Sequence, residues 1–296
     1  MKRGYWISLI VVAAIILIGA FIFLTSGDDP LFAPSDVKVS VGNAPPKITN
    51  VPFANVPVSL TPGLSKNVLV QFTARDPNGY DNLNDASALV TFRRVGETDR
   101  AGGCVENILL RTSKTKTYDC TVSMQYYDGA GDWTMTFFIT DLATPTPGSD
   151  TLASTFFAQV GQLKAITYNT NIDLGVIAPS ATNVTLPNVG ITNQGNFNVP
   201  TDGSLSVTAR DLIGVTASTE SIPASVFLAG DSSGDVCGTG IVLINNTLRS
   251  TNVAIPRGPS GSNQGSLGFC ISLVPEVSAQ DYEATSARLN PWLIEI

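Results

Sequence analysis

The sequence predicts an all-β protein, two β-sandwiches in tandem behind one N-terminal transmembrane helix. Residues 5–24, YWISLIVVAAIILIGAFIFL, run for twenty positions without a charge. As a helix at roughly 1.5 Å per residue they would span about 30 Å, the thickness of a bilayer core. From residue 47 onward the chain becomes short runs of alternating apolar and polar residues divided by Gly, Pro, Asn and Asp. That is the pattern of half-buried strands and turns. The four cysteines fall two to each half of the remaining chain, and an even count outside the cell reads as disulfides.

Composition narrows the function before any motif does. The chain has 296 residues, enough for two domains of roughly 150 each. Hydrophobic residues make up 43% and charged residues 14%, against roughly 25% charged in ordinary soluble domains, so this is a folding chain rather than a charge-driven disordered one. Histidine is absent, which removes Ser-His-Asp and Cys-His nucleophilic catalysis and every zinc site that needs imidazole. With 17 basic and 24 acidic residues the net charge is −7, and no cationic excess exists to neutralise a phosphate backbone. Nucleic acid is therefore not an expected partner, and the expected protein is not an enzyme.

Taken in order, residues 1–4 carry Lys2 and Arg3, and the positive-inside rule places them in the cytoplasm. The membrane is engaged through residues 5–24, and everything beyond them lies outside the cell with 15 basic and 24 acidic residues, a net of −9. Two other fates of this segment stay open. A secretory signal usually has an apolar region of only about 7–15 residues and a small-x-small cleavage site, which residues 23–27 do not offer. Lys2-Arg3-Gly4 before an apolar helix resembles the cleavage region of archaeal-type prepilins, processed after the glycine.

Residues 25–46, rich in Gly, Asp, Pro and Ser and closing on Ala44-Pro45-Pro46, read as a stalk. The first sandwich is assigned to residues 47–160, with strands in VLVQFT from Val68, LVTF from Leu89, WTMTFFI from Trp133 and TFFAQV from Thr155. A linker follows at residues 161–171. The second sandwich, residues 172–296, has strands in NVTL from Asn183, GSLSVTA from Gly203, SVFL from Ser225, IVLI from Ile241, FCISL from Phe269 and a terminal PWLIEI from Pro291. No amphipathic helix stands out beyond the anchor. Of the three possible cysteine connectivities, pairing within each half is the simplest: Cys104 with Cys120, 16 positions apart, and Cys237 with Cys270, 33 apart. Each bridge is worth about 3–4 kcal/mol on the loop-entropy estimate.

The anchor, the segment Asp76-Pro77-Asn78-Gly79-Tyr80 and the stretch CTVSMQYYDGAGDW from Cys120 resemble membrane-anchored, Ig-like surface proteins of archaeal type. IDLGVIAP from Ile172 and GITNQGN from Gly190 are similar to sandwich domains of surface proteins and biofilm-fibre subunits. The resemblance implies two Ig-like sandwiches in an extracellular structural or adhesive protein without catalysis. It also implies a rival, a filament or pilus-like subunit that assembles by β-strand addition, donating a free strand near Lys47 or at residues 292–296. Self-assembly, other surface proteins and a glycan ligand are the partner classes it admits.

Candidate chemistry is sparse. Asp76, Asn78, Asp81 and Asp85 crowd the segment DPNGYDNLND. Oxygen ligands on a sharply turning loop suit calcium, whereas an Asx-rich turn would spend the same oxygens on its own backbone. The loop lacks the twelfth-position Glu of an EF-hand. Asp128 and Asp132 flank Gly129-Ala130-Gly131; as paired carboxylates they would support an extracellular hydrolase, and as ends of a hairpin turn they would be structural. Trp133 begins an alternating run and reads as core rather than as a sugar-stacking platform. Asn183 and Asn245 head N-x-T triplets and are candidate glycosylation sites. The Ser/Gly-rich residues 258–266 read as a flexible loop and lack the lysine of a phosphate loop.

Overall fold

A computed structural model describes residues 38–52, 55–143, 146–152, 156–201, 203–284 and 291–296. The predicted anchor at residues 5–24 and most of the predicted stalk lie outside them. Among the described residues, no helix is long and apolar enough to cross a membrane. Strands are almost the only regular secondary structure of the described residues, and the one α-helix among them has four residues.

The first half contains β1 (Lys47–Asn50), β2 (Asn55–Val58), β3 (Lys66–Arg75), β4 (Leu83–Arg93), β5 (Arg100–Glu106), β6 (Thr115–Met124), β7 (Gly131–Asp141), β8 (Ser149–Leu152) and β9 (Phe157–Val160). They hydrogen-bond in the order β1-β3-β6-β5-β4-β7-β9-β2, with β8 also on β7. One ladder becomes two layers because β5 changes partners midway. Its Arg100–Gly103 portion pairs with β4, and its Cys104–Glu106 portion pairs with β6. The switch falls between Gly103 and Cys104, and at the adjoining Gly102 an added Cβ would collide with the Thr121 carbonyl. Inward residues alternate along each long strand: Val68, Val70, Phe72 and Ala74 on β3, and Trp133, Met135, Phe137 and Ile139 on β7. Phe72 and Phe137 meet across the layers with ring centroids 5.5 Å apart. On β4 both Leu83 and Ala88 point inward, five positions apart, so the alternation must slip. The pairing with β7 breaks between Asn84 and Leu89 to absorb that slip, as a bulge does.

The second half is built from shorter pieces: β10 (Ile166–Tyr168), β11 (Thr182–Thr185), β12 (Val189–Asn193), β13 (Ser206–Thr208), β14 (Leu212–Gly214), β15 (Ser221–Ile222), β16 (Phe227–Asp231), α1 (Val236–Thr239), β17 (Ile241–Val242), β18 (Leu248–Ser250), β19 (Gln264–Leu273), β20 (Tyr282–Glu283) and β21 (Leu293–Glu295). A six-stranded sheet, β10-β12-β19-β16-β17 with β11 on β19, faces two three-stranded sheets, β18-β13-β21 and β15-β14-β20. Buried apolar residues gather into two clusters, one drawn from Ile48 to Val160 and one from Leu186 to Ile294. Trp292 closes the second cluster, edge-on to Phe227 and Phe269 with centroids 5.2 and 5.6 Å away. Its indole N–H donates to the Arg210 carbonyl at 2.8 Å.

Three sequence expectations change here. Residues 128–132 do not make a hairpin, because β6 and β7 are not neighbours and the loop between them crosses from one layer to the other. Neither candidate donor strand is free: β1 pairs with β3 and β21 pairs with β13 within the same chain. The segment 258–266 is not simply a flexible loop, since Gln264 to Ser266 belong to β19 and Asn263 is 1% exposed.

Candidate junction sites at the two ends of the first sandwich

The Asp/Asn-rich loop lies between β3 and β4, at the end of the sandwich where the chain enters. Asp76 is fully buried. Its Oδ1 accepts the Asn78 amide at 2.7 Å and its Oδ2 accepts the Asn82 side chain at 3.0 Å, so the carboxylate is spent on an Asx turn. Gly79 carries φ +120°, which lets the loop turn after Asn78. The remaining amides reach the incoming chain. Asn78 Oδ1 accepts the Ala44 amide at 2.9 Å, and Asn82 Nδ2 donates to Asn43 Oδ1 at 3.1 Å. Asn43 Nδ2 in turn donates to Asp141 Oδ2 at 2.7 Å, and Asp150 accepts the Ile48 amide at 2.7 Å. Burial pushes the Asp141 carboxyl upward, but donors from Asn43, Gly148 and Ala143 outweigh it and hold the group below the usual carboxylate range.

The four residues picked for calcium are thus divided among different tasks. Asp76 and Asn78 bind backbone amides, and Asp81 is exposed. Asp85 sits on the β4 bulge, where its carboxylate receives Lys116 Nζ at 2.8 and 2.9 Å and the Tyr118 hydroxyl at 2.7 Å. Lys116 Nζ also lies 3.8 Å from Glu106, which Arg111 holds through two 2.6 Å bonds. Burial first, and the Asp85 carboxylate second, push the Tyr118 hydroxyl far upward. A calcium ion needs six or more oxygens converging on one point. These residues do not supply them, and among the described residues no group of three or more acidic or cysteine side chains is arranged to hold a metal.

The opposite end of the same sandwich meets the second half through a buried polar network. The β6–β7 loop, residues 125–130, is fixed by Asp128, 1% exposed, whose carboxylate accepts the Gln125 amide at 2.7 Å and pairs with Arg100. Trp133, fully buried, donates from Nε1 to the Gly129 carbonyl at 2.9 Å and is core. Asp132 is exposed on β7 opposite Gln159, whereas the Asp128 carboxylate is buried. From this loop the Tyr126 hydroxyl donates to the Gly258 carbonyl at 3.0 Å and accepts Asn263 Nδ2 at 3.1 Å. Asn263 Nδ2 also donates to the Asn193 carbonyl at 2.6 Å. Asn196 donates from Nδ2 to the carbonyls of Asp128 and Gly161, both at 2.9 Å, and accepts the Leu163 amide at 2.6 Å. Arg257 donates to the Tyr127 carbonyl at 3.0 Å and to Glu97 at 2.6 Å, while the Gly63 amide reaches the Gln194 carbonyl at 2.9 Å. Residues 161–165, expected as part of a linker, are bonded to both halves.

The remaining sequence candidates are placed as follows. Cys104 and Cys120 are bridged directly across β5 and β6, and Cys237 on α1 is bridged to Cys270 on β19. Asn183 and Asn245 are both exposed, and the Asn245 side-chain nitrogen donates to Asp211 at 3.0 Å. Sequence reasoning missed Tyr126, Asn196, Arg257 and Asn263. The signal available was the run Asn193-Gln194-Gly195-Asn196, whose amides occupy a position between two predicted apolar blocks.

No family model matches this chain, and no curated protein does either. Among solved structures, one described as "Chaperone-tip adhesin complex is vital for synergistic activation of CFA/I fimbriae biogenesis" is similar to it over 84% of this chain and 97% of that chain, with a TM-score of 0.39 and 11% identity. A likeness at that level carries no argument about fold or role.

Proposed function

We propose that this chain is a non-catalytic, membrane-tethered protein of the cell surface, built of two Ig-like β units that hold a presented surface away from the membrane. The observation that supports this reading most is the pair of junctions. The entering chain is clasped at Asn43 and Ala44 by Asn78, Asn82 and Asp141. The exit from the first sandwich is fastened to the second half through Asn196, Tyr126 and Asn263. A pull on the chain entering at residue 43 is then passed through hydrogen-bonded joints rather than through loose linkers, as a structural or adhesive protein requires. Buried amides and a tyrosine hydroxyl rigidify such a joint because each is costly to leave unpaired.

Against the hydrolase alternative stands Asp128, whose oxygens are taken by Arg100 and the Gln125 amide. The filament alternative needs a donor strand other than β1 or β21. The test places a C-terminal tag on the full chain in intact cells. The tag is expected to label without permeabilisation, with the chain in the membrane fraction as single molecules by electron microscopy of shed material. Labelling only after permeabilisation would overturn the topology, and fibres in the shed material would favour the filament subunit.

A further inference from the structure

The bulge of β4 brings an aspartate against a lysine of the other layer. Beside the bulge β4 pairs with β7, while β6 pairs with β3 and β5, so β4 and β6 are not neighbours in the ladder. Asp85 falls in the stretch between Asn84 and Leu89 where the pairing with β7 breaks, and a bulge re-aims the side chains it carries. The Asp85 carboxylate reaches Lys116 on β6 and holds its Nζ at 2.8 and 2.9 Å. Lys116 is only 5% exposed, a depth at which a lysine is almost always paired. Its Nζ lies 5.9 Å from the centre of the Tyr80 ring and 3.8 Å from a second carboxylate, Glu106.

An ion pair would need only the first of these contacts. The others supply what a reaction between the two side chains requires. The Tyr118 hydroxyl donates to Asp85 Oδ1 at 2.7 Å. Burial, and then the Asp85 carboxylate, push that hydroxyl far upward, so it keeps its proton and stays a donor. Glu106 is fixed by two 2.6 Å bonds from Arg111 and faces the lysine nitrogen. An amine, a carboxyl carbon, a donor on the carboxyl oxygen and a separate carboxylate to carry protons are thus held in one place. Held reactants gain greatly over the same groups free in solution.

We infer that Lys116 and Asp85 condense into an isopeptide bond, with Glu106 relaying a proton and Tyr118 steadying the carboxyl oxygen. One proton passes along the 2.9 Å hydrogen bond from the Lys116 ammonium to Asp85 Oδ2, leaving a neutral amine against a neutral carboxyl. The amine attacks Asp85 Cγ and the C–N bond forms, while Tyr118 donates to Oδ1 as negative charge develops there. Glu106 takes a second proton from the nitrogen and delivers it to Oδ2. The Cγ–Oδ2 bond then breaks and one water leaves. The nitrogen has lost two protons, both are in that water, and Glu106 ends as it began. The Asp85 side chain is 49% exposed, which gives the water its exit. The bond joins the two layers, whereas the Cys104–Cys120 bridge joins strands that are already neighbours. It goes beyond the tethered reading and does not rest on it.

The test is tryptic digestion of the full chain, denatured with its disulfides reduced, followed by mass spectrometry. Without the bond, trypsin cuts after Lys116 and releases peptides 76–93 and 117–164. With it, that cut is blocked and 76–93 stays joined to 115–164, the mass being the sum of the two less one water. The joined species is expected, with fragmentation placing the link at Asp85 and Lys116. Free 76–93 and 117–164 in its place would show an ion pair only and overturn the proposal. Lys116→Arg keeps a cation opposite Asp85 and is expected to release 76–93 unjoined. Glu106→Gln is expected to leave the pair unjoined in a chain whose tryptophan fluorescence is that of the folded protein; a fully joined product would overturn the relay. Tyr118→Phe removes only the hydroxyl and is expected to lower the joined fraction, and an unchanged fraction would remove that group from the reaction.

Discussion

The two ends of the first sandwich are held by the same kind of bond under opposite conditions. At the end facing the second half the polar groups are sealed: Asn193, Asn196, Asn263 and Asp128 are between 1% and 3% exposed. At the entry end the clasp is open to solvent, with Asn43, Asn78 and Asp81 all exposed, around two buried carboxylates, Asp76 and Asp141. A hydrogen bond contributes little net stability in water but is expensive to lose when burial leaves its partner unsatisfied. The junction is therefore the stiff joint, and the entry clasp is the one that conditions can release.

The largest effect is expected from Asn263→Ala, which strips a donor from both the Tyr126 hydroxyl and the Asn193 carbonyl. Buried groups left unpaired cost about 1–3 kcal/mol each. Denaturant unfolding followed through Trp133 in the first core and Trp292 in the second should lose stability and separate into two transitions. Tyr126→Phe keeps the ring and removes only the hydroxyl, so a loss of about 1 kcal/mol is expected by the same measurement. Asn43→Ala should cost less than either, because Asn43 itself is exposed to water and Asp141 keeps its donors from Ala143 and Gly148. If Asn43→Ala matched Asn263→Ala, the contrast between the two ends would not hold.

Acid should act on the entry clasp through Asp141. The Asp141 carboxyl is held below its ordinary value, so its contribution is present in full above the unfolded pKa of about 3.9 and is lost as pH falls through the folded value. The Asn amides of the junction do not titrate in that range. Amide exchange at Ala143 and Gly148, whose N–H groups bond to Asp141, should therefore accelerate below about pH 4 beyond the intrinsic trend. A smaller, local change is expected in the second half. There Glu220 is lowered from 4.5 to about 2, first by the Ser278 hydroxyl and then by Tyr282. Its support is fully present above about 4.5 and disappears toward pH 2, readable as faster exchange at the Ser278 amide.

Much of the first sandwich was legible because its strands are long. β3, β4 and β7 run for 10 or 11 residues, and sustained alternation marks β3, β7 and the Leu89–Phe92 part of β4, whereas β6, equally long, goes unassigned. The second half was legible as β but not as three sheets, since strands of two to five residues carry too little periodicity to assign partners. The cysteine pairing followed from the even count and its division between halves. The Asp/Asn loop was found by composition, and its two candidate uses share one signature until the donors are seen. What decides between them is Asn43, Ala44 and Asn82, and the first two lie more than 30 positions from Asp76. The junction was hidden for the same reason: Tyr126 meets Asn263 across 137 positions, and a Ser/Gly-rich stretch such as 258–266 has no local feature that announces burial.

The chain leaves the first sandwich through a fixed joint. Hydrogen exchange of the full chain at neutral pH tests it at two amides, Leu163, which donates to Asn196, and Gly63, which donates to Gln194. Both are expected to exchange as slowly as the core strands β3 and β7, although residues 161–165 contain no strand. Exchange at the rate of an unstructured peptide would contradict it, leaving two β units joined by a free linker.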